Sequence, residues 1–287
     1  MRKSVLPVLT VVAAIFVIWY GASVMLNAAW AKDQAKRAGV ELSFTEMVAD
    51  TWAQDKPKLP APHQVAVEIW NTTVEKKITS KRSLVYHSGI TLSSTLLGFV
   101  LGTVLGIGLA VGIVYNRVMD MSVMPWVIAS QTIPILAIAP MIIVVLNAVG
   151  ISGLLPKAII SMYLSFFPVV VGMVKGLRSP DMMQLDQMRT WNATRAQQFW
   201  KLRLPSSMPY LFASLKIAMA ASLVGAIVGE LPTGAVAGLG ARLLAGSYYG
   251  QTIQIWSALI MAAALAAALV AIIGMIQRVT LKRMGMA

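Results

Sequence analysis

The segment SGITLSSTLLGFVLGTVLGIGLAVGIVYN, residues 88–116, is the clearest indication of the fold of this chain because it contains no Asp, Glu, Lys or Arg. An α-helix needs roughly 20 apolar residues to cross the hydrocarbon core of a bilayer. Residues 4–31, 121–156 and 243–277 are equally free of charged side chains. The four segments together predict several transmembrane helices.

The composition agrees with a membrane protein. Of the 287 residues, 57% are hydrophobic and only 12% are charged, whereas about 25% of the residues in a soluble domain are charged. Lipid permits only helices or closed barrels to span it, and the apolar segments lack the period-2 alternation of barrel strands. We therefore predict an all-α, polytopic membrane protein.

The apolar segments divide into about six transmembrane helices. Lys216 interrupts the fifth, where a long side chain can extend towards the membrane surface. The first apolar segment could also be a cleavable secretory signal that ends at Ala29-Trp30-Ala31. Its apolar run is longer than the 7–15 residues typical of such signals, and this favours a retained helix. The predicted helices cover residues 5–26, 90–115, 123–148, 154–174, 208–229 and 253–277.

The distribution of Lys and Arg sets the orientation, because cytoplasmic loops carry the excess of these residues. With the N-terminus inside, the cytoplasmic pieces hold twelve of them and the short outer loops only Lys157 and Arg242. The long loop 27–89 carries nine basic and seven acidic residues, and long loops cross largely regardless of charge. We predict that residues 1–89 form the first transmembrane helix and a long periplasmic segment.

The same distribution argues against a nucleic-acid partner. A net charge of +13 could attract phosphate backbones, but the excess basic residues flank the apolar segments. The absence of Cys excludes disulfides, Cys-ligated metals and thiol catalysis. A P-loop and the His-Glu-x-x-His motif are also absent from the sequence. We predict no cofactor, no metal site and no enzymatic activity.

The stretch DQMRTWNATRAQQFWKLRLP, residues 186–205, lies between the fourth and fifth apolar segments. It resembles the coupling loop of ABC-transporter permeases of the importer type, whose pattern is Glu-Ala-Ala, three residues, Gly, nine residues and Ile-x-Leu-Pro. Asp186 stands at the Glu position, Asn192 at the Gly position, and Leu202-Arg203-Leu204-Pro205 at the end. Because proline restricts the residue before it, we expect Pro205 to stop the helix.

A second element lies after the fifth segment. Glu230, Gly234, Gly238, Leu239 and Gly240 form the pattern Glu-x-x-x-Gly-x-x-x-Gly-Leu-Gly, which resembles the element that these permeases carry there. A carboxylate at membrane depth is a functional candidate, and we interpret the element as a gating loop. The alternative is a glutamate that caps a turn in interfacial water.

Polar side chains in the third and fourth segments are candidates for lining a pathway. Pro125, Pro134 and Pro140 interrupt the third segment, each removing a backbone hydrogen bond, and freed carbonyls in a membrane must face protein or water. The alternative is that these polar groups bond only to neighbouring helices. The candidates are Gln131, Thr132, Ser161 and Tyr163.

Two further patterns each allow two interpretations. Ser94, Gly98, Gly102, Gly106 and Ala110 recur every four residues, which favours close helix packing, either against a moving neighbour or statically within one subunit. Residues 63–80 place Trp70, Val74 and Ile78 at helical spacing. They form either an interfacial helix or an irregular connection.

Taken together, the resemblance implies the permease subunit of a binding-protein-dependent importer of the nitrate, sulfonate and taurine type. Leu59-Pro60-Ala61-Pro62 adds to it, because it is similar to the Leu-Pro-Ser-Pro element before the core of such permeases. It implies a fold like that of type I importer permeases, with the permease core in residues 90–287 and a cytoplasmic coupling loop near 175–207. ATP-binding subunits would dock there, on Asp186, Asn192, Ala193, Phe199, Trp200, Leu202, Leu204 and Pro205.

The resemblance also implies the setting. A periplasmic substrate-binding protein would deliver a small solute, which in several members of the family is an anion, and a second copy of the permease would complete a homodimer in the bacterial inner membrane. Nothing in the sequence selects the solute. The rival is a secondary transporter or channel that acts without an ATPase. Proton relays use acidic or histidine side chains inside the membrane, and the predicted spans contain none.

Overall fold

The computed structural model describes residues 2–231 and 237–286, and every regular element in these ranges is a helix. The chain divides into two compact units, Met1–His87 with Ala241–Ala262 and Ser88–Gly240 with Ala263–Ala287. The α-helices are α1 Arg2–Ala38, α2 Phe44–Ala53, α3 Pro62–Trp70, α4 Leu84–Tyr115, α5 Arg117–Ala129, α6 Ile135–Ala148, α7 Leu154–Leu177, α8 Met182–Thr190, α9 Arg195–Gln198, α10 Leu204–Gly229, α11 Leu239–Tyr248 and α12 Thr252–Arg283.

The all-α, polytopic class is confirmed. Among the described residues, five helices are long and apolar enough to cross a membrane, or up to six if one bent pair counts as a span. The bent pair is Arg117–Thr132 with Ile135–Ala148, at 101°. The break falls at Pro134, because Ile133 before it takes an extended backbone conformation that proline favours in its predecessor. Pro125 and Pro140 lie inside helices.

In the first unit, the polar residues that follow the first apolar segment fold back onto α1. Asn27 is fully buried and fixes this return. Its amide nitrogen donates to the carbonyls of Thr51 and Leu59, at 3.4 and 2.9 Å. Its side-chain oxygen accepts the N–H groups of Lys58 and Leu59, at 2.8 and 3.3 Å. A single side chain thus satisfies the backbone at both ends of residues 51–59.

Helix α3 begins at Pro62, and a π-helical turn, Asn71–Glu75, follows it directly. Val67, Trp70 and Val74 are exposed, so the helix presents an apolar stripe up to Glu75. Ile78 lies in the turn beyond the helix. Residues 62–75 are therefore helical and residues 76–80 irregular, while the position of the helix at the membrane surface stays a prediction.

In the second unit, α7 is the central helix, with twelve of its 24 residues buried. One side of α7 faces α4, where a Cβ on Gly98, Gly102 or Gly106 would overlap Ser161, Ser165 or Val169. The small residues of α4 thus pack against α7, a helix of the same chain. The neighbour is thus in the same subunit, and whether it moves during transport stays open.

The other side of α7 faces α10 at a similarly close approach. A Cβ on Gly172 would overlap Ser214, and one on Gly225 would lie 2.7 Å from the Cα of Ser161. Hydroxyl groups connect the layers: Ser161 bonds the carbonyl of Ser222 at 2.7 Å, and Ser222 donates to the carbonyl of Thr95 at 2.8 Å. These contacts hold α4, α7 and α10 together as the scaffold of the sites described next.

Candidate coupling and gating sites

The predicted coupling loop folds as a helix, a turn and a second helix that continues into α10. Helix α8 starts at the capping residue Asp181, and Gln184 bonds back to its N–H at 3.1 Å, as in a capping box. Asp186 pairs with Arg189 at 2.8 Å, and both side chains are exposed. Such a pair contributes at most about 1 kcal/mol. The carboxylate of Asp186 is therefore accessible to a partner.

Asn192 ends α8 in the left-handed backbone conformation, with φ +52°. Its N–H bonds the carbonyl of Arg189 at 2.8 Å, and the N–H of Ala193 bonds that of Met188 at 2.9 Å. This is the Schellman arrangement, in which glycine is the usual residue and asparagine the usual substitute. The spacing of the family pattern therefore places its Gly where the backbone needs one, and Asn192 meets the same need.

The second helix does not stop at Pro205, so that expectation was wrong. Helix α9, capped by the hydroxyl of Thr194, passes into a π-helical turn, Phe199–Arg203, and then into α10. Pro205 lies at the first positions of α10, where the missing N–H costs little. The wider turn absorbs the proline without a break, so Arg195–Gly229 forms one continuous run.

The aromatic residues of this segment face two ways. Phe199 packs inward, with its ring centroid 6.0 Å from that of Tyr115, and Arg203 donates to the carbonyl of Leu177 at 2.7 Å. Trp191 and Trp200 point outward, and 67% and 66% of their surfaces are exposed. The segment is thus fixed to the core on one side and offers two indole rings on the other.

The remaining predicted coupling residues support this arrangement rather than enlarge its outer face. Leu204 packs against the core of the second unit, and Ala193, Leu202 and Pro205 are half-buried. Arg195 and Lys201 are exposed beside the indoles, together with the uncharged residues Asn192, Thr194, Ala196 and Gln197. The outer face is therefore aromatic and cationic. We call Met182–Arg203 the coupling segment from here on.

The second candidate site centres on Glu230, which is fully buried and directly follows α10. The hydroxyl of Thr91 donates to the carboxylate and lies 3.0 Å from both of its oxygens, and the N–H of Gly240 donates at 2.8 Å. Thr91 also accepts the N–H of Leu239 at 2.9 Å. The interpretation in which Glu230 lies in interfacial water is therefore wrong. The carboxylate fastens the start of α11 to α4.

Two glycines allow the chain to lie against this carboxylate. Gly238 has φ +129°, a conformation open to glycine, and a Cβ there would overlap the carboxylate of Glu230. A Cβ on Gly240 would overlap the carbonyl of Ile227. Gly234, also predicted for the gating loop, lies outside the described residues. Beside the loop, Lys157 donates to the carbonyl of Ala237 at 3.3 Å.

Sequence reasoning missed Thr91 and Lys157. Thr91 lies 139 residues before its partner Glu230 and sits in a run of Ser and Thr that is ordinary for a membrane helix. The only signal was its place in α4 one turn before Thr95, on the side that carries the small residues. Such a signal cannot single out a partner.

The four pathway candidates do not form one cluster. Gln131 and Thr132 lie exposed in the 3₁₀ turn Ser130–Thr132, at the break between α5 and α6. Tyr163 belongs with them, because its hydroxyl donates to the carbonyl of Ser130. Ser161 is fully buried between helices, as in the alternative in which the hydroxyl bonds a neighbour.

These features define a class: a helical, multi-pass membrane protein in which an exposed helix–turn–helix segment joins α7 to α10. The chain belongs to the family described as the binding-protein-dependent transport system inner membrane component, whose sequence profile matches residues 102–286. The coupling segment and Glu230 both lie within the matched range.

Curated relatives include a riboflavin transport system permease protein, RibX, of Chloroflexus aurantiacus, which is 34% identical over 78% of this chain and 80% of its own length. The formylaminopyrimidine transport permease protein ThiX of Halalkalibacterium halodurans is 34% identical over 63% of this chain and 68% of its own. A probable ABC transporter permease protein of Haemophilus influenzae is 28% identical over 70% and 77%.

The chain is therefore the permease subunit of an ABC importer, a multi-pass membrane protein and a transport subunit rather than an enzyme. Its family works with ATP-binding and substrate-binding partners. The rival interpretation, a secondary transporter or channel without an ATPase, is set aside by this assignment.

Proposed function

We propose that two copies of this chain form a solute pathway across the bacterial inner membrane, and that the ATP-binding subunit docks on the coupling segment. The docking of the ATP-binding subunit is supported by one observation. Trp191 and Trp200 are two-thirds exposed in a cationic segment, while Phe199 and Arg203 fix its other side to the core. Exposed indoles on a rigid support are typical anchors of protein interfaces.

In this proposal, ATP binding draws the two coupling segments together and turns the pathway outward, and hydrolysis reverses the movement. Rigid-body rotation about an interface is a common route for such transitions. We propose that the loop held by Glu230 acts as a gate, because the contact between Glu230 and Thr91 connects the end of α10 to α4. Gln131 and Thr132 are the proposed pathway residues, since they are polar and exposed at a helix break.

For the solute we propose a small organic molecule with a nitrogen heterocycle. The two relatives at 34% identity are named for riboflavin and formylaminopyrimidine, whereas those named for aliphatic sulfonates and nitrate are 25% and 23% identical. Competition against labelled riboflavin uptake tests the class. If nitrate or a sulfonate competes better than a pyrimidine does, the assignment fails.

The docking proposal is tested by purifying the complex from native membranes after substitution. Trp200→Ala should release most of the ATP-binding subunit, since truncating an interface anchor costs about 2–4 kcal/mol. Trp30→Ala is the matched control, because this exposed indole belongs to the segment predicted outside. Full retention of the ATP-binding subunit by Trp200→Ala would refute the docking site. The homodimer is tested by expressing tagged and untagged permease together. If two copies pair, the untagged chain co-purifies with the tagged one.

A further inference from the structure

One cation in the second unit lies within a membrane-spanning helix without an acidic partner. Lys216 belongs to the apolar run Arg195–Gly229. Ionisable groups inside a membrane are costly and usually have a specific partner. The three ion pairs among the described residues involve neither Lys216 nor Arg278 on α12. An anionic group from outside the described residues would therefore supply the counter-charge.

Both cations line one groove between α10 and α12. Phe212 and Met219 of α10 pack against Leu269 and Ile273 of α12, and beside this contact the helices leave a cavity of about 330 Å³. Its lining consists of Lys216, Val270, Ala271, Gly274, Met275 and Arg278.

Gly274 makes room for the ammonium group of Lys216. A Cβ built on Gly274 would lie 3.7 Å from Cε and 3.8 Å from Nζ of Lys216, so the charged end of the side chain lies over the glycine. Arg278 follows Gly274 by one turn, about 6 Å along the axis. Two positively charged side chains therefore line the same groove, and its other lining residues are apolar.

We propose that this groove binds an anionic phospholipid, with its phosphate between Lys216 and Arg278 and an acyl chain along Val270, Ala271 and Met275. Basic pockets between transmembrane helices are suited to anionic headgroups, and the apolar remainder of the lining suits hydrocarbon rather than a soluble anion. The Lys and Arg count places the end of α12 in the cytoplasm, so the lipid belongs to the cytoplasmic leaflet. This site does not depend on the docking proposal.

Native mass spectrometry of the complex, titrated with phosphatidylglycerol or phosphatidylcholine in detergent, tests the site. We expect preferential retention of phosphatidylglycerol, and roughly tenfold weaker retention by Lys216→Gln and Arg278→Gln, since a hydrogen bond to a charged group is lost in each. Lys282→Gln removes the same charge from α12, one turn further on and outside the groove, and should retain the lipid as the unchanged protein does.

Gly274→Leu fills the groove and keeps both charges, so it should also lose the lipid, while Lys216→Arg should keep it. These variants test the site if Lys216→Gln does not fold. Equal losses in Lys216→Gln and Lys282→Gln would mean general attraction to a charged surface and would overturn the site. Tight binding of inorganic phosphate without a preference for phosphatidylglycerol would overturn the lipid assignment.

Discussion

The contact between Thr91 and Glu230 predicts how much unfolding free energy the substitution Thr91→Val should cost. Thr91→Val keeps the shape of the side chain and removes its hydroxyl, which donates to the carboxylate of Glu230 and accepts the N–H of Leu239. Thr91 and Glu230 are both fully buried. A lost hydrogen bond to a charged group costs about 1.5–3 kcal/mol, and an orphaned buried N–H about 1–3 kcal/mol. Together they give an expected loss of about 2.5–6 kcal/mol in the free energy of unfolding.

Thr95→Val is the matched control. Thr95 lies one turn further along α4 and is equally buried, but its hydroxyl only donates to the carbonyl of Thr91 at 2.7 Å, within the same helix. Its loss should cost about 0.5–1 kcal/mol. Unfolding of the detergent-solubilised protein by added dodecyl sulfate, followed by circular dichroism, measures both. If the two variants unfold at the same dodecyl sulfate concentration, the carboxylate is not held as described.

Three other predictions concern the loop, the orientation and the pathway. Asn192→Gly should keep or slightly raise the unfolding midpoint, whereas Asn192→Val should lower stability by about 1–2 kcal/mol, because a β-branched residue is strained at φ +52°; equal midpoints would contradict the strain. A cysteine at Thr45 should react with an impermeant thiol reagent on intact cells and one at Gln197 should not, although both positions are exposed; the reverse labelling would invert the topology. Gln131→Leu should lower solute uptake while the complex still assembles, and unchanged uptake would leave Gln131 a residue of the helix break only.

Much of the fold could be predicted because the membrane imposes it. Charge-free segments longer than 20 residues have no other stable environment than lipid or a protein core. Each of them is largely helical in the structure, although 121–156 is broken at Pro134 and at 149–153, and 243–277 at 249–251. The ends of the helices were harder to predict from the sequence. Helix α1 runs to Ala38 rather than residue 26, because charged residues extend a helix beyond the bilayer without any loss of backbone bonding. The run into α10 starts at Arg195 because a π-helical turn accommodates Pro205.

The candidate sites were predictable only where their geometry is local. The turn at Asn192 follows from a spacing, since a left-handed residue has to end α8 before α9 can begin. The fastening of Glu230 to Thr91 joins residues 139 positions apart, and nothing in either local sequence specifies the other. The groove at Lys216 depends on the register of α12 against α10, which is set by packing across the whole interface.

The continuity of Arg195–Gly229 has a mechanical consequence. Its 35 residues span about 52 Å at 1.5 Å per residue, with Trp200 near one end and Glu230 just past the other. A displacement applied at Trp200 would therefore reach Glu230 along one unbroken helical run, whose π-helical turn and Pro209 are the places where it can bend. In the proposed mechanism, the stiffness of this helical run would carry the movement caused by ATP binding from the coupling segment to the residues around Glu230.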